Sequence, residues 1–252
     1  MVKIIMHGCN GRMGQMITGI VSEDPDAEIV AGIDINDSIK NTYPTFKSLD
    51  ECNVEADVLI DFGNAKAVDH QIDWCVEHKV PFVSCTTGLT EETVGKIKKA
   101  SEEIAVLKSA NMSLGINLLM KILKDNAAVL TEAGFDVEIV EKHHKMKLDA
   151  PSGTALSLAD SVCEGTHKYD YTYDRSTRRE KRRDNEIGIS AVRGGTIVGE
   201  HDVIFAGQDE VVTFSHTAYS RAVFAKGAVC AAKFLCGKKA GYYSMADVIA
   251  EN

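Results

Sequence analysis

Apolar and polar residues alternate in two different ways along the first part of the chain. Five short apolar runs predict buried strands, and the stretches between several of them place apolar residues on one helical face. The predicted strands are Lys3–His7, Glu28–Asp34, Asp57–Phe62, Val80–Cys85 and Ile104–Lys108, and the predicted helices are Arg12–Ser22, Val68–His78 and Glu91–Glu103. Short buried strands that alternate with helices are typical of an α/β fold with a doubly wound parallel sheet.

After Asn111 the pattern changes. A long helix is predicted first, then a strand and a loop that leads into a second helix, and finally three strands with no comparable helices between them. These segments are Leu114–Leu130, Asp136–Glu141, 149–154, Glu186–Val192, Thr196–Phe205 and Glu210–Thr217. Strands without crossover helices indicate an open mixed or antiparallel sheet, and therefore a second domain of the α+β type.

The change of pattern predicts the domain bounds. The first domain comprises residues 1–112, and the second comprises residues 113–220. An Ala-rich helix is predicted over Arg221–Leu235, and we expect it to return to the first domain, which then also includes residues 221–252.

Composition and charge exclude several classes of protein. The chain of 252 residues is 44% hydrophobic and 26% charged, as is usual for a globular protein. No apolar run approaches the roughly 18 residues that a membrane span needs, so we expect no membrane association. The formal charge of −9 disfavours nucleic-acid binding, which needs a basic surface. It is compatible with a local basic pocket for a small acidic substrate.

The cysteines indicate a reducing compartment. Seven of them are scattered along the chain without a C-x-x-C pair, which favours reduced thiols over a disulfide framework or a zinc site. The N-terminus runs directly into a predicted strand and lacks the layout of a signal peptide. We therefore expect a cytoplasmic protein. The one charge run, residues 175–183, holds six basic residues and is expected in a flexible loop.

A glycine-rich turn follows the first predicted strand. The residues Gly8-Cys9-Asn10-Gly11-Arg12-Met13-Gly14 lead into a predicted helix, whose N-terminal N–H groups and dipole would stabilise a pyrophosphate. Asp34 ends the second predicted strand, twenty residues after Gly14, where an acid can accept hydrogen bonds from an adenosine ribose. This predicts a Rossmann-type dinucleotide site. The alternative is a turn without a ligand, because the spacing G-x-x-G-x-x-G is by itself weak evidence.

A second chemical cluster lies in residues 141–154. His143 and Lys147 share a face if the chain is extended there, and together they offer a proton-exchanging group and a fixed positive charge. Ser152 is a plausible helix cap, and the N–H groups of Gly153 and Thr154 suit a carboxylate. No metal site is expected, because adjacent histidines are poor co-ligands on a regular element. The alternative is a solvated basic turn. The remaining histidines have no comparable cluster of basic and capping residues beside them in the sequence and are interpreted as structural or exposed. They are His7, His70, His78, His167, His201 and His216.

Five segments together resemble one enzyme family. They are Gly-Cys-Asn-Gly-Arg-Met-Gly at 8–14, Ser-Cys-Thr-Thr-Gly at 84–88, Ser-Ala-Asn-Met-Ser at 109–113, Glu-Lys-His-His-Lys-Met-Lys-Leu-Asp-Ala-Pro-Ser-Gly-Thr-Ala at 141–155 and Val-Arg-Gly-Gly-Thr-Ile-Val-Gly-Glu-His at 192–201. Over essentially the whole chain they are similar to 4-hydroxy-tetrahydrodipicolinate reductases, formerly called dihydrodipicolinate reductases. The segment at 141–155 is the most specific of the five.

The resemblance implies a role for each matching residue. The pyrophosphate would be held by Gly8, Cys9, Asn10, Gly11, Arg12 and Met13, and the adenosine ribose by Asp34. The nicotinamide would be lined by Cys85, Thr86, Thr87, Ser109, Ala110, Asn111 and Met112. His143 would donate or accept a proton and Lys147 would donate one, while His144, Gly153 and Thr154 would bind substrate.

The resemblance also implies the reaction and the assembly. The first domain would bind NADH or NADPH, and the second would bind a cyclic dicarboxylic imine and join a homotetramer through its sheet. Hydride transfer with loss of a hydroxyl as water would give tetrahydrodipicolinate, in lysine and diaminopimelate biosynthesis. Two positions depart from the family. Ile35 stands where a basic residue commonly follows the ribose acid, and Cys85 stands where a glycine precedes the two threonines.

Two other functions are compatible with the same sequence. One is a different two-domain nicotinamide dehydrogenase, acting on an amino acid or a semialdehyde. An acylating enzyme of that kind would need a nucleophilic cysteine near a histidine, and residues 141–155 contain none. The other is a non-catalytic protein that senses the nucleotide and turns nothing over.

Overall fold

The computed structural model describes residues 1–109 and 111–251. The chain divides into two compact units, Met1–Leu114 with Ala222–Asn252, and Gly115–Arg221. Ala110, which the sequence assigned to the nicotinamide site, lies outside the described residues.

The first unit contains a seven-stranded sheet in which every neighbouring pair is parallel. Its strands are β1 (Val2–His7), β2 (Ala27–Ile33), β3 (Thr45–Phe46), β4 (Val58–Asp61), β5 (Phe82–Ser84), β6 (Ala105–Lys108) and, from the end of the chain, β12 (Gly241–Tyr243). The spatial order is β12-β6-β5-β4-β1-β2-β3. The chain therefore winds outward in one direction from β1 and in the other from β4. Ligands of open α/β sheets bind outside the carboxyl ends of the strands at such a reversal.

Helices connect these strands. They are α1 (Arg12–Ser22), α2 (Val68–His78), α3 (Glu91–Ala100), α6 (Ala222–Leu235) and α7 (Met245–Ala250), with short 3-10 helices at Leu49–Glu51 and Ala65–Ala67. One apolar cluster contains residues of α1, α6 and the sheet, and another contains residues of α2, α3 and the sheet. Because both faces of the sheet are covered, its central strands are apolar throughout, as the short apolar runs predict.

The second unit contains a five-stranded sheet and two helices. The strands are β7 (Asp136–His143), β8 (Asp170–Thr172), β9 (Glu186–Arg193), β10 (Gly199–Ala206) and β11 (Val211–Ala218), and the helices are α4 (Leu114–Glu132) and α5 (Gly153–Gly165). The order is β11-β10-β7-β9-β8. The pairs of β10 with β7 and β11 are antiparallel, whereas β9 pairs parallel with β7 and β8. The sheet is therefore mixed, and α5 lies in the crossover between the parallel strands β7 and β9.

The predicted fold class, a Rossmann-type doubly wound sheet plus a second unit with an open mixed sheet, is confirmed. The bounds of α1 and α2 agree with the sequence pattern, but α3 ends at Ala100 and not at Glu103. The hydroxyl of Ser101 donates to the carbonyl of Lys98 at 2.6 Å, and a side chain that bonds the backbone in this way competes with helix continuation. Among the described residues, none of the helices could cross a membrane.

Candidate active site

The glycine loop that joins β1 to α1 is packed so closely against neighbouring backbone that side chains would not fit at two of its positions. Gly8 has a φ of +80°, and a Cβ there would lie 2.8 Å from the carbonyl oxygen of Phe62. A Cβ on Gly14 would lie 2.2 Å from the carbonyl oxygen of Gly8. Both positions therefore require glycine, the first for its backbone conformation and the second for close packing of helix and loop. The N-cap of α1 is Gly11, which offers no side chain to the first N–H groups of the helix.

Asp34 ties the end of β2 to this loop. Its Oδ2 accepts a hydrogen bond from the N–H of Asn10 at 2.9 Å, and its Oδ1 accepts one from the N–H of Asn36 at 2.9 Å. Each carboxylate oxygen has a second acceptor site, so Asp34 can still receive ribose hydroxyl groups. The side chain thus orders the loop and keeps its capacity for a ligand.

One cavity of about 420 Å³ lies at the carboxyl ends of β1, β2 and β4. It is lined by Gly8, Gly11 and Asp34 and also by Lys47, which the sequence pattern does not single out. An α1 N-terminus without a side-chain cap and without an acid in its first turn suits a pyrophosphate, and the acid suits a ribose. The residues present therefore fit a dinucleotide.

The other predicted cofactor residues of the glycine loop lie in different surroundings. Cys9 is fully buried, and burial raises the pKa of its thiol to about 11, so it is a packing residue and not a nucleophile. Arg12 is exposed, and Met13 packs partly against the apolar core.

The segments predicted to line the nicotinamide follow β5 and β6, which are neighbouring strands. Thr86 is buried, and its hydroxyl has no hydrogen-bond partner within the described residues. Burial raises the pKa of the Cys85 thiol well above its ordinary value. Thr87 is exposed, and Ser109 donates to the carbonyl of Asn111 at 2.9 Å. Met112 is only 4% exposed and belongs to the apolar core, so its side chain is placed for packing.

A buried polar group adjoins the cavity. The carboxylate of Asp61, at the end of β4, is fully buried and lies 3.2 Å from Nδ1 of His7 at the end of β1. Its Oδ1 also accepts from the N–H of Gly63 at 2.8 Å. Gln71 of α2 contacts the same imidazole at 3.0 Å. Sequence reasoning treated His7 as structural or exposed and did not single out Asp61 or Gln71.

In the second unit, the predicted catalytic segment begins where β7 ends. His143 is the last residue of the strand, and the chain turns at once, with the N–H of Lys147 donating to the carbonyl of His144 at 3.1 Å. The expectation of an extended chain over 143–147 was therefore wrong. Lys147 nevertheless lies close enough to His143 for its charge to lower the pKa of that imidazole.

Glu141 is the centre of the buried network behind His143. Its carboxylate is fully buried and lies 2.6 Å from Nδ1 of His143. The two terminal nitrogens of the Arg193 guanidinium, Nη1 and Nη2, donate to it at 2.7 Å, and the N–H of Ser152 donates at 2.9 Å. Burial raises the pKa of Glu141, but these hydrogen bonds outweigh burial and hold the pKa below its ordinary value.

The pKa of His143 is also displaced. Burial lowers it, Glu141 acts in the opposite direction, and Lys147 and Arg193 lower it further. The net pKa lies below the ordinary value of histidine, so the neutral form of the imidazole predominates near pH 7. A neutral imidazole can accept a proton as a general base, and its protonated form can return the proton as a general acid.

The loop between His143 and α5 carries the cationic groups. Nζ of Lys147 lies 2.8 Å from Oδ1 of Asp149, whose pKa is lowered first by this contact and also by the N–H of Gly153. Ser152 is the N-cap of α5 and accepts from the N–H of Ala155 at 3.2 Å, as the sequence predicts. His144 is half-buried, and Thr154 stands in the first turn of the helix. The carboxylate of Asp149 therefore lies beside the predicted proton donor, Lys147, and beside the helix N-terminus that was predicted to bind a carboxylate.

His201 of β10 stands beside the catalytic candidate. It is 4% exposed, its ring lies 5.1 Å from that of His143, and its Nε2 lies 3.2 Å from Oγ of Ser152. Burial lowers its pKa to about 4, so it stays neutral at physiological pH. Sequence reasoning interpreted His201 as structural or exposed, and the structure places it in the interior. That reasoning gave no role to Glu141 or Arg193. Two signals were available, since Glu141 shares the strand face of His143 and Arg193 lies in the segment 192–201.

The basic run at 175–183 lies between β8 and β9. Arg175 binds Glu138 and Glu186 at 2.7–3.1 Å, and Arg182 binds Asp136 and Glu138. Four of its cations therefore serve ion pairs within the second unit, since Arg178 also binds Glu186 and Arg183 binds Glu180.

Comparison with known proteins assigns the family. Residues 2–112 match the family model "Dihydrodipicolinate reductase, N-terminus" and residues 115–249 match "Dihydrodipicolinate reductase, C-terminus". The chain is 52% identical to the 4-hydroxy-tetrahydrodipicolinate reductase of Caldanaerobacter subterraneus over 99% of this chain and 98% of that protein. It is 47% identical to the same enzyme of Clostridium tetani, over 97% of this chain and 96% of that protein.

A solved structure agrees with this assignment. The dihydrodipicolinate reductase from Paenisporosarcina sp. TG-14, determined with dipicolinate bound, superimposes with a TM-score of 0.81 at 27% identity, covering 98% of this chain and 99% of that one. Since both halves of the sequence match the family over almost their whole length, the chain belongs to the dihydrodipicolinate reductase family.

Proposed function

We propose that the chain reduces 4-hydroxy-tetrahydrodipicolinate to tetrahydrodipicolinate with loss of water, using NADH or NADPH, in lysine and diaminopimelate biosynthesis. The observation that carries this proposal is the group at the end of β7. There a proton-exchanging imidazole, a lysine and a helix N-terminus adjoin one another. A dianionic substrate needs cationic groups, and reduction of a conjugated imine leaves negative charge that a proton must neutralise.

The residues of the first unit would hold the cofactor. Gly8, Gly11 and the N-terminus of α1 suit the pyrophosphate, and Asp34 suits the adenosine ribose. When bound, the nicotinamide supplies the hydride. Thr86, with a buried hydroxyl that has no partner within the described chain, is proposed to orient the ring. The thiol of Cys85 has no acid–base role, because its pKa is raised far above neutrality.

The residues of the second unit would bind the substrate and move the proton. His143 is proposed to exchange a proton with the substrate, and Lys147 to donate one. His144 and the N–H groups of Gly153 and Thr154 are proposed to bind a carboxylate. Asp149, which pairs with Lys147 at 2.8 Å, must release that lysine before it can donate a proton to the substrate.

The cofactor preference is proposed to be dual, with a bias toward NADH. Asp34 would repel a 2′-phosphate, and Ile35, which is 87% exposed, offers no charge to offset that repulsion. Lys47 lines the same cavity as Asp34 and is the cation through which NADPH would be tolerated. Its Nζ is 4.0 Å from the carboxylate of Asp37, and its side chain is 68% exposed, so it is free to move toward a phosphate.

We further propose a cytoplasmic homotetramer joined through the five-stranded sheet. α4 and α5 pack on one face of that sheet, and alternation along the strands places Val140, Val192 and Ile204 on the other. Val192 is 46% exposed. Light scattering should give the mass of four chains, and Val192→Asp should lower it. Val129 of α4 is 69% exposed and lies outside this sheet, so Val129→Asp should leave the mass unchanged.

The enzyme activity is tested by following the loss of NADH absorbance with freshly generated substrate. Turnover that depends on both reactants supports the proposal. A protein that binds NADH but oxidises none with this substrate would instead be a nucleotide sensor, and oxidation with an amino acid or a semialdehyde would indicate a different dehydrogenase.

A further inference from the structure

The environment of Glu141 is unusually complete for a buried carboxylate. Its Oε1 accepts from the N–H of Ser152 and from Nη2 of Arg193, and its Oε2 accepts from Nη1 of Arg193. These three donors come from the start of α5 and the end of β9. The bidentate guanidinium fixes both the charge and the plane of the carboxylate.

The fourth donor identifies the state of His143. Oε2 of Glu141 lies 2.6 Å from Nδ1 of the imidazole. An ionised carboxylate only accepts hydrogen bonds, so Nδ1 must carry a hydrogen atom. In the neutral ring the other nitrogen, Nε2, then has a free lone pair.

The surroundings of Nε2 differ from those of Nδ1. Within residues 1–109 and 111–251, Nε2 has no hydrogen-bond partner. Gly199 stands beside it, and a Cβ at that position would lie 3.1 Å from Nε2. The absence of a side chain at Gly199 thus leaves space next to the nitrogen that Glu141 does not use.

We propose that Glu141 is a positioning residue that fixes neutral His143 as the Nδ1–H tautomer, so that the reacting proton enters and leaves at Nε2. This inference rests on the proposed function for the identity of the reaction, but the tautomer itself is independent of it. When the proton is on Nε2 the imidazolium is stabilised by Glu141, and when the proton passes to substrate the neutral ring keeps its Nδ1–H bond.

The charged groups around the imidazole support this role. Glu141 lies on its own strand, Arg193 at the end of β9, Lys147 in the following turn and neutral His201 on β10. Glu141 is the one acid among these groups. It therefore opposes the effect of burial and of the two cations, and its removal should lower the pKa of His143 further.

Glu141→Gln gives a specific structural expectation. The glutamine oxygen should face Ser152 and Nη2 of Arg193, because two donors lie on that side and only one, Nη1 of Arg193, lies on the other. Its NH2 group then occupies the place of Oε2 and points at Nδ1 of His143. A donor there forces Nδ1 to accept, so the hydrogen atom moves to Nε2.

The experiment is long-range ¹H–¹⁵N spectroscopy of the full protein labelled at histidine, with the His143 signals assigned by their loss in His143→Gln. The neutral wild-type ring should be the Nδ1–H tautomer, and in Glu141→Gln it should become the Nε2–H tautomer. Glu200→Gln is the matched control, since Glu200 pairs with Lys142 at 2.9 Å and is not part of this network. It should leave the His143 signals unchanged.

Kinetics provide the second readout. Glu141→Gln should lower turnover by roughly 10²–10⁴, as loss of the correct tautomer does in other histidine mechanisms, and shift the His143 limb of the pH profile to lower pH. Glu141→Asp, which offers no donor, should partly restore the Nδ1–H tautomer. The control Glu200→Gln should retain wild-type turnover.

The outcomes separate the two proposals. A wild-type ring found as the Nε2–H tautomer overturns the inference, whether or not any variant folds. An unchanged tautomer in folded Glu141→Gln overturns it as well. If the tautomer switches as expected but turnover stays within threefold of wild type, the positioning by Glu141 stands and the catalytic role proposed for His143 falls.

Discussion

Each unit of the chain buries one carboxylate beside a histidine, and the two pairs differ in how the charge is held. Asp61 lies 3.2 Å from His7 in the first unit, and Glu141 lies 2.6 Å from His143 in the second. Both carboxylates are fully buried. Glu141 has a guanidinium counter-charge, whereas Asp61 has hydrogen bonds from His7 and the N–H of Gly63.

The difference indicates two uses of a similar pair. A buried charge is retained when it is paired and fully hydrogen-bonded. Arg193 and Ser152 provide this for Glu141, which can therefore act on the proton of its histidine. Asp61 leaves Oδ2 without a partner among the residues that the structure describes. Its contacts instead shape the turn from β4 into the cofactor cavity.

The largest effect expected from this comparison is on turnover. His143→Gln should lower turnover by roughly 10²–10⁴, because the proton-exchanging group is lost. His7→Gln should change turnover less than tenfold, because its ring is assigned to the shape of the cavity. The measurement is steady-state kinetics with both reactants varied, supported by circular dichroism to verify folding. Equal losses of turnover in the two variants would remove the distinction drawn between the pairs.

A smaller effect is expected on stability. Arg193→Met leaves Glu141 buried without its counter-charge and should cost about 3–5 kcal/mol of unfolding free energy. Asp61→Asn leaves no cation without its partner, and its amide oxygen can still accept the hydrogen bonds from Gly63 and His7. It should therefore change the unfolding free energy by about 1 kcal/mol or less. Urea denaturation measures both. A cost for Asp61→Asn as large as that for Arg193→Met would show that the two carboxylates are held alike.

Lys142→Gln is the control for ion pairing in general. Lys142 bridges Glu200 and Asp202 at 2.9 Å and 3.6 Å on a partly exposed part of the sheet. Exposed pairs contribute about 0–1 kcal/mol, so this variant should be nearly neutral.

The sequence was sufficient for the parts of the molecule that depend on local pattern. Periodicity located α1 and α2, and the cap Ser152 marked the start of α5. The short strands β3, β8 and β12 have only two or three residues each. Runs of this length are too short to show a period, and pairing with longer neighbours determines them.

The candidate site divides in the same way. Gly8, Asp34, His143 and Lys147 stand in motifs with recognisable spacing. The network around Glu141 depends on Arg193, which is 52 residues away, and a contact so distant in sequence follows from the strand order of β7 and β9. Lys47 reaches the cavity of Asp34 because β3 pairs with β2. Such juxtapositions require the fold.

The next effect is on the unfolding free energy at low pH and concerns His201, the neutral histidine beside His143. Burial lowers the pKa of His201 from its ordinary 6.5 to about 4. Between these values the unfolded chain binds more protons than the folded one, so this residue makes stability fall as the pH falls. Each pKa unit corresponds to about 1.4 kcal/mol, so lowering the pH from 7 to 5 should cost about 2 kcal/mol through His201.

His201→Gln should flatten this part of the stability profile, as measured by urea denaturation at pH 7 and pH 5. His70→Gln is the control, because that side chain is 54% exposed and pairs with Asp50 at the surface. If His201→Gln retains the full wild-type loss of stability between the two pH values, other groups carry it.

The smallest effect expected is on the choice of cofactor. It concerns the cavity in the first unit, the unit that contains Asp61. Lys47 lines that cavity together with Asp34, whereas Ile35 provides no charge. An exposed ion pair contributes about 0.2–1 kcal/mol, which corresponds to roughly 1.4- to 5-fold in affinity. Lys47→Gln should therefore weaken NADPH binding by up to about fivefold and leave NADH binding unchanged.

Titration of both reduced cofactors tests this prediction, with Lys40→Gln as the matched control, since Lys40 is also exposed and does not line the cavity. Asp34→Ser should act in the opposite sense and favour NADPH, although it also removes the hydrogen bond to the N–H of Asn10. Added salt should shrink the Lys47 effect, because an exposed charge is screened. Wild-type protein that binds NADPH more tightly than NADH at moderate salt would show that Lys47 outweighs Asp34. In that case the acid serves mainly to order the glycine loop.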